Sequence, residues 1–118
     1  MHEGDCVQIM RECVADRSVQ LIVTSPPYGA DKEYDVVRTK EQYMQFTVEW
    51  MTQASRVLKP GCSVFVNIGY WCGSRKSRWF MPGVVIAAAE QCDLTHCGWI
   101  NWVKDKHGAY SPLLLGNR

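Results

Sequence analysis

Apolar residues recur along the chain with two different periods. From Cys6 to Val14 they fall at Cys6, Ile9, Met10, Cys13 and Val14, the i, i+3, i+4, i+7, i+8 spacing of one helix face. Asp5 stands where an N-cap belongs. After Asp16-Arg17-Ser18 the pattern changes. Val19 to Thr24 is apolar through Leu21-Ile22-Val23 without alternation, which predicts a strand covered on both faces. Pro26-Pro27 ends it, because neither nitrogen can donate to a ladder. Residues 29 to 38, with Gly29, Asp31 and Asp35, read as a polar loop. Thr39-x-x-Gln42 has the form of a capping box. The helix behind it carries Tyr43, Phe46, Trp50, Met51, Ala54, Val57 and Leu58 on one stripe and stops at Lys59-Pro60-Gly61. Ser63 to Ile68 repeats the strand pattern with Val64-Phe65-Val66. A loop of small, basic and aromatic residues spans Gly69 to Arg78, and Pro82 opens a third helix through Cys92. Gly98 to Val103 predicts a third strand, ending in Lys104-Asp105-Lys106-His107-Gly108.

Helices and strands therefore alternate, the order of an α/β fold with a parallel sheet. Three strands make a thin sheet, and the run Leu113-Leu114-Leu115 has no element after it. We read residues 1–118 as a single partial domain. A chain of 118 residues can bury a core without staples. Its 47% hydrophobic and 21% charged residues are ordinary for a soluble domain. It has neither an 18-residue apolar stretch nor a basic-then-apolar leader, so membrane spanning and secretion are not expected.

Composition adds little about partners. With 13 Lys+Arg against 12 Asp+Glu the net charge is +1, whereas phosphate neutralisation supplies most of the affinity of DNA-binding proteins. The basic residues cluster only at Arg75-Lys76-Ser77-Arg78. The six cysteines show no CxxC pair, and Cys92-x4-Cys97 is followed by no His-x3-5-His, so no metal site is expected. Cys6 and Cys13 fall on the apolar helix face, where a thiol acts as a small hydrophobe. Reduced thiols point to a cytoplasmic protein.

The chemistry enters with Thr24-Ser25-Pro26-Pro27-Tyr28. Ligands in open α/β sheets bind beyond the carboxyl ends of strands, and these residues stand there. An isolated Pro-Pro is most simply a rigid turn. The whole string, directly after an apolar strand, is far more specific. It resembles the Asp/Asn/Ser-Pro-Pro-Tyr/Phe signature of the DNA methyltransferases that modify adenine N6 or cytosine N4. Gly4-Asp5-Cys6 with its helix and Ser18 to Val23 resemble that family's lead-in. Arg56 to Val66 resembles its next helix, turn and strand, and Trp99 to Asp105 its later strand. The order is that of the permuted group whose catalytic half comes first.

The resemblance implies a partial Rossmann-like, three-layer fold with helices on both faces of the sheet. It implies S-adenosylmethionine as methyl donor and DNA as partner, often in a restriction-modification pair. An aromatic amino group is a weak nucleophile because its lone pair is delocalised. Acceptors aimed at its N–H bonds favour a pyramidal nitrogen and stabilise the charge that develops as the methyl arrives. By resemblance these are the Ser25 hydroxyl and the Pro26 carbonyl, with Pro27 completing the turn. A serine hydroxyl is a poor base, so positioning rather than deprotonation carries the rate. Tyr28 stacks on a base flipped from the duplex. Asp5, Thr24 and Ser25 are placed toward the donor, although N-capping accounts equally well for Asp5. The serine form of the signature leans slightly towards cytosine, although it occurs with both target bases.

The resemblance also marks what is missing. No Asp-Pro-Phe-x-Gly-x-Gly donor turn occurs, and no target-recognition region; Gly69-Tyr70-Trp71-Cys72-Gly73 follows the wrong strand. Arg75, Lys76 and Arg78, interleaved with Trp71 and Trp79, are candidates for DNA phosphates. Lys104, Lys106 and His107 are further candidates near DNA. Asp31, Lys32 and Tyr34 are candidates to close over the base, against the simpler reading of a solvated loop. Trp99 and Trp102 read as core and rim packing. Two rival readings stand beside a methyltransferase catalytic half. One is a truncated, non-catalytic relative that self-associates or binds DNA, and the other is half of a split enzyme completed by a second chain.

Overall fold

The computed structural model describes residues 1–28, 38–73 and 78–102. The Asp5 carboxylate accepts from the Gln8 backbone N–H at 3.0 Å and so starts α1, Cys6–Cys13. The far end of α1 is closed from elsewhere in the chain. Arg56 donates to the carbonyls of Met10 at 2.6 Å and Val14 at 3.1 Å, and pairs with the Asp16 carboxylate. A cation is favourable at a helix C-terminus, where unpaired carbonyls gather negative charge.

Strand β1, Val19–Thr24, leads to the candidate motif. Helix α2, Lys40–Val57, opens with the expected capping box: Thr39 Oγ1 accepts from Gln42 N at 3.2 Å, and Gln42 Oε1 accepts from Thr39 N at 2.9 Å. The Glu41 carboxyl, in this first turn, is held below the usual carboxylate range by backbone and Thr39 hydrogen bonds. The helix ends at Val57, two residues before the expected Lys59-Pro60-Gly61 stop, and the chain enters β2, Leu58–Val66. Leu58 is already extended, at φ −73° and ψ 136°, and Pro60 keeps Lys59 out of the helical region as well.

β1 and β2 pair in parallel, with Leu21 opposite Ser63, Ile22 opposite Val64, Val23 opposite Phe65 and Thr24 opposite Val66. The register is irregular between Val19 and Leu21, where β2 carries Gly61 at φ +76°, a conformation that suits a residue without Cβ. Two short strands follow, paired antiparallel: β3 (Trp71–Cys72), inside the loop expected over Gly69 to Arg78, and β4 (Trp79–Phe80), directly after it. Helix α3, Met81–Gln91, has Pro82 in its first turn, as expected.

The core lies between α2 and α3. Tyr43, Trp50, Met51 and Ala54 meet Met81, Val84, Val85 and Ala88, with Cys72 and Cys92 closing the ends. Ile22 and Val66 pack against this cluster from one face of the β1–β2 pair. On the other face Leu21, Val23 and Phe65 remain 55%, 71% and 49% exposed. The described residues thus form a mixed α/β arrangement, and none of their helices is long and apolar enough to cross a membrane.

Three expectations need correction. Residues 98–102 form no strand, and of the tryptophans expected to pack there Trp99 is 44% and Trp102 70% exposed. An apolar run becomes a strand only where a neighbouring strand takes its backbone bonds, and among the described residues none does so. Cys6 and Cys13 are exposed, because α1 lies at the rim and buries no residue fully. Finally, among the described residues the strands form two two-stranded sheets rather than one of three strands.

Candidate active site

The parallel ladder continues one bond past its last paired residues, with Asn67 N donating to Thr24 O at 2.9 Å. This bond sets Ser25 and Asn67 side by side at the carboxyl ends of β1 and β2. Ser25 Oγ lies 2.6 Å from Tyr28 Oη. The Asn67 side-chain amide donates to Tyr28 Oη at 3.0 Å and reaches Ser25 Oγ at 3.4 Å. The Ser25 hydroxyl in turn faces the Asn67 main-chain carbonyl at 3.5 Å. Ser25 and Asn67 are exposed and Tyr28 is half-buried.

The prolines turn the chain back so that Tyr28 meets Ser25, with Pro26 buried and Pro27 exposed. A hydrogen bond from Tyr43 Oη to the Pro27 carbonyl, at 2.9 Å, ties the turn to the core. Tyr43 is fully buried, 3.7 Å from Met81 Sδ, and its ring packs 5.1 Å from that of Trp79. Sequence periodicity places Tyr43 in the core but does not reveal that its hydroxyl holds the motif. Among the described residues no backbone donor meets the Pro26 carbonyl. The exposed Ser25 hydroxyl stands at an open strand end, where its oxygen is suited to accept an N–H bond.

Of the residues singled out from sequence, Ser25, Pro26, Pro27 and Tyr28 are brought together. Thr24 is half-buried at the end of β1. The Asp5 side chain caps α1 through Oδ1. The neighbouring Cys6 thiol is raised above its ordinary value, first by partial desolvation of the sulfur and then by Asp5. Arg78 is exposed. Trp71 packs on Phe80 with ring centroids 5.6 Å apart, and Trp79 on Tyr43, so both rings take part in internal packing. Arg75, Lys76, Asp31, Lys32, Tyr34, Lys104, Lys106 and His107 lie outside the described residues.

Asn67 is the residue that sequence reading missed. The signal was partial: Asn67 is the first polar position after Val64-Phe65-Val66, but the strand read from sequence runs on to Ile68, whereas β2 ends at Val66 and leaves Asn67 beyond its carboxyl end.

The chain is similar in sequence to known DNA methylases. The model of a DNA methylase family, that of the N6/N4 methyltransferases, matches residues 19–113. Type II methyltransferase M.BamHI of Bacillus amyloliquefaciens is 37% identical over 76 residues, covering 60% of this chain and 18% of that protein. M.BglII of Bacillus subtilis is 38% identical over 69 residues, covering 58% of this chain and 19% of the relative. M.Cfr9I of Citrobacter freundii is 34% identical over 86 residues, covering 66% and 28%. The chain thus spans between 18% and 28% of the length of these relatives.

Proposed function

This chain belongs to the N6/N4 DNA methylase family, and from that premise we propose that it carries the base-accepting part of a DNA amino-methyltransferase active site. The family implies methyl transfer to DNA, with S-adenosylmethionine as donor in general. The finer reading is transfer to the exocyclic amino group of a flipped cytosine (N4) or adenine (N6). The observation that carries it is the exposed Ser25 hydroxyl beyond the end of β1, held by Tyr28 and Asn67.

In this reading Ser25 Oγ and the Pro26 carbonyl accept the two N–H bonds of the target amino group. The Tyr28 ring, fixed at its hydroxyl edge, offers a face to the base, a contact worth about 1–3 kcal/mol. Arg78, with Arg75 and Lys76, answers DNA phosphates. Asp5, Thr24 and Ser25 are this chain's contribution to the donor; capping engages Oδ1 of Asp5, and Oδ2 makes no hydrogen bond among the described residues. The donor supplies an electrophilic methyl group. The glycine-rich donor turn and the target-recognition region would come from sequence beyond these residues. The apolar both-face pattern of β1 and β2 supports a Rossmann-like three-layer sheet in the whole enzyme.

Chromatography of nucleosides from DNA methylated by the protein tests this reading. N4-methylcytosine or N6-methyladenine is expected, and C5-methylcytosine would overturn it. Ser25→Ala should lower kcat by about 10²-fold, the scale of losing one preorganised partner of a developing charge. A second reading, a non-catalytic relative that self-associates, is favoured by the exposed Leu21, Val23 and Phe65. Light scattering showing a concentration-independent monomer would count against it.

A further inference from the structure

We propose that Asn67 is a positioning residue for the methyl-transfer site: it orients the hydroxyls of Ser25 and Tyr28 so that a Ser25 lone pair faces the substrate. The inference rests on the functional reading above and deepens it. Asn67 touches both hydroxyls with two different groups. Its side-chain amide nitrogen, which can only donate, meets Tyr28 Oη at 3.0 Å and points to Ser25 Oγ at 3.4 Å. Its main-chain carbonyl, which can only accept, lies 3.5 Å from Ser25 Oγ.

These groups leave few places for the hydroxyl hydrogens. If Tyr28 donates across the 2.6 Å contact, the Ser25 hydrogen turns to the Asn67 carbonyl. If Ser25 donates across it, its hydrogen turns to Tyr28, whose oxygen is held by the Asn67 amide. In both arrangements the Ser25 hydrogen points into the cluster and an oxygen lone pair points out. An outward lone pair is what an incoming amino N–H requires; an outward hydrogen would oppose it. The loop turn alone cannot impose this order, because a serine hydroxyl rotates freely when nothing competes for its hydrogen. Asn67 can impose it because the Thr24–Asn67 ladder bond fixes its backbone beside the motif.

The test is a double-mutant cycle on the protein, read in kcat, in KM for DNA and in the NMR resonances of the Asn67 side-chain amide. Asn67→Ala should lower kcat about tenfold or more, as expected when a reacting group is misplaced, with KM for DNA changed less than about twofold. In a Tyr28→Phe background the same substitution should cost clearly less than it does alone, because one of the two hydroxyls it orients is gone. The isosteric Asn67→Asp keeps shape but reverses the hydrogen-bond sense, and should lose as much kcat as Asn67→Ala. Tyr28→Phe should also shift the Asn67 side-chain amide signals.

Multiplicative losses in the cycle, a defect confined to KM, or full activity in Asn67→Asp would each overturn the inference. If the protein supplied with the missing donor turn and target-recognition region methylates no DNA amino group, the functional reading falls instead. Amide signals unmoved by Tyr28→Phe would then overturn the inference separately.

Discussion

The two faces of the β1–β2 pair are made of the same kinds of residue and meet opposite surroundings. On one face Ile22 and Val66 pack against the α2–α3 core; on the other Leu21 and Val23 are more than half exposed, and Phe65 nearly so. An apolar strand therefore specifies that both its faces are to be covered without specifying what covers them. The contrast also locates stability and chemistry. Stability resides on the helix side, where Tyr43, Met51 and Met81 are almost completely buried. By the two-residue alternation of a strand, Ser25 follows Leu21 and Val23, and Asn67 follows Phe65, onto the open side. Whatever covers the open face therefore borders the candidate site.

If the helix side carries the stability, its substitutions should be the costly ones. Tyr43→Ala should destabilise the protein by about 3–5 kcal/mol, the range for deleting a large buried aromatic. It also removes the bond to the Pro27 carbonyl, so Tyr43→Phe separates the two effects. The conservative variant should lose only about 1 kcal/mol of stability, the net value of one hydrogen bond. It should lower kcat more than that stability loss suggests, because the turn bearing Tyr28 is released. Urea unfolding and steady-state methylation measure the two quantities. An equal loss from Phe and Ala would show that the hydroxyl, not the ring, dominates at this site.

Arg56→Ala comes next, at about 1.5–3 kcal/mol, since it removes charge-assisted bonds to the α1 carbonyls. Arg56→Lys should recover only part of this, because one ammonium cannot reproduce a planar fork spanning two carbonyls. Circular dichroism should register the loss of α1 in both variants. Unchanged helicity would mean that α1 is held by its partly buried apolar residues alone.

The sequence was informative wherever a local rule decides the outcome. The capping box at Thr39, the Asp5 cap, the first-turn proline of α3 and the apolar strands each follow from a few adjacent residues. The motif was legible for the same reason, its five residues being contiguous. Features set by pairing at long range were not legible. The Asn67 network joins residues 42 positions apart, and the Tyr43–Pro27 bond joins residues 16 apart. The expected third strand shows the opposite error. Trp99-Ile100-Asn101-Trp102 has strand-like composition, but the Asn101 side chain instead accepts from Tyr70 Oη at 2.5 Å and Trp99 Nε1 at 2.8 Å. Cys6 and Cys13 failed because helical periodicity gives the apolar face of α1 but not how deeply the helix is set.

The smallest effect is expected on the open face, and it is the most direct check on the comparison. Val23 is 71% exposed, and threonine matches it in shape and strand preference. Val23→Thr in this chain should therefore change stability by no more than about 0.5 kcal/mol, as surface substitutions do. The same change at Ile22, whose side chain packs on the core, places a hydroxyl among apolar neighbours and removes a methylene. It should cost about 1–3 kcal/mol from desolvation of the hydroxyl. Urea unfolding of both variants at two protein concentrations gives the ratio. A loss at Val23 that approaches the loss at Ile22 and grows with concentration would mean that a second copy covers the open face. An equal loss that ignores concentration would mean that the chain covers both faces by itself, and the contrast between them would disappear.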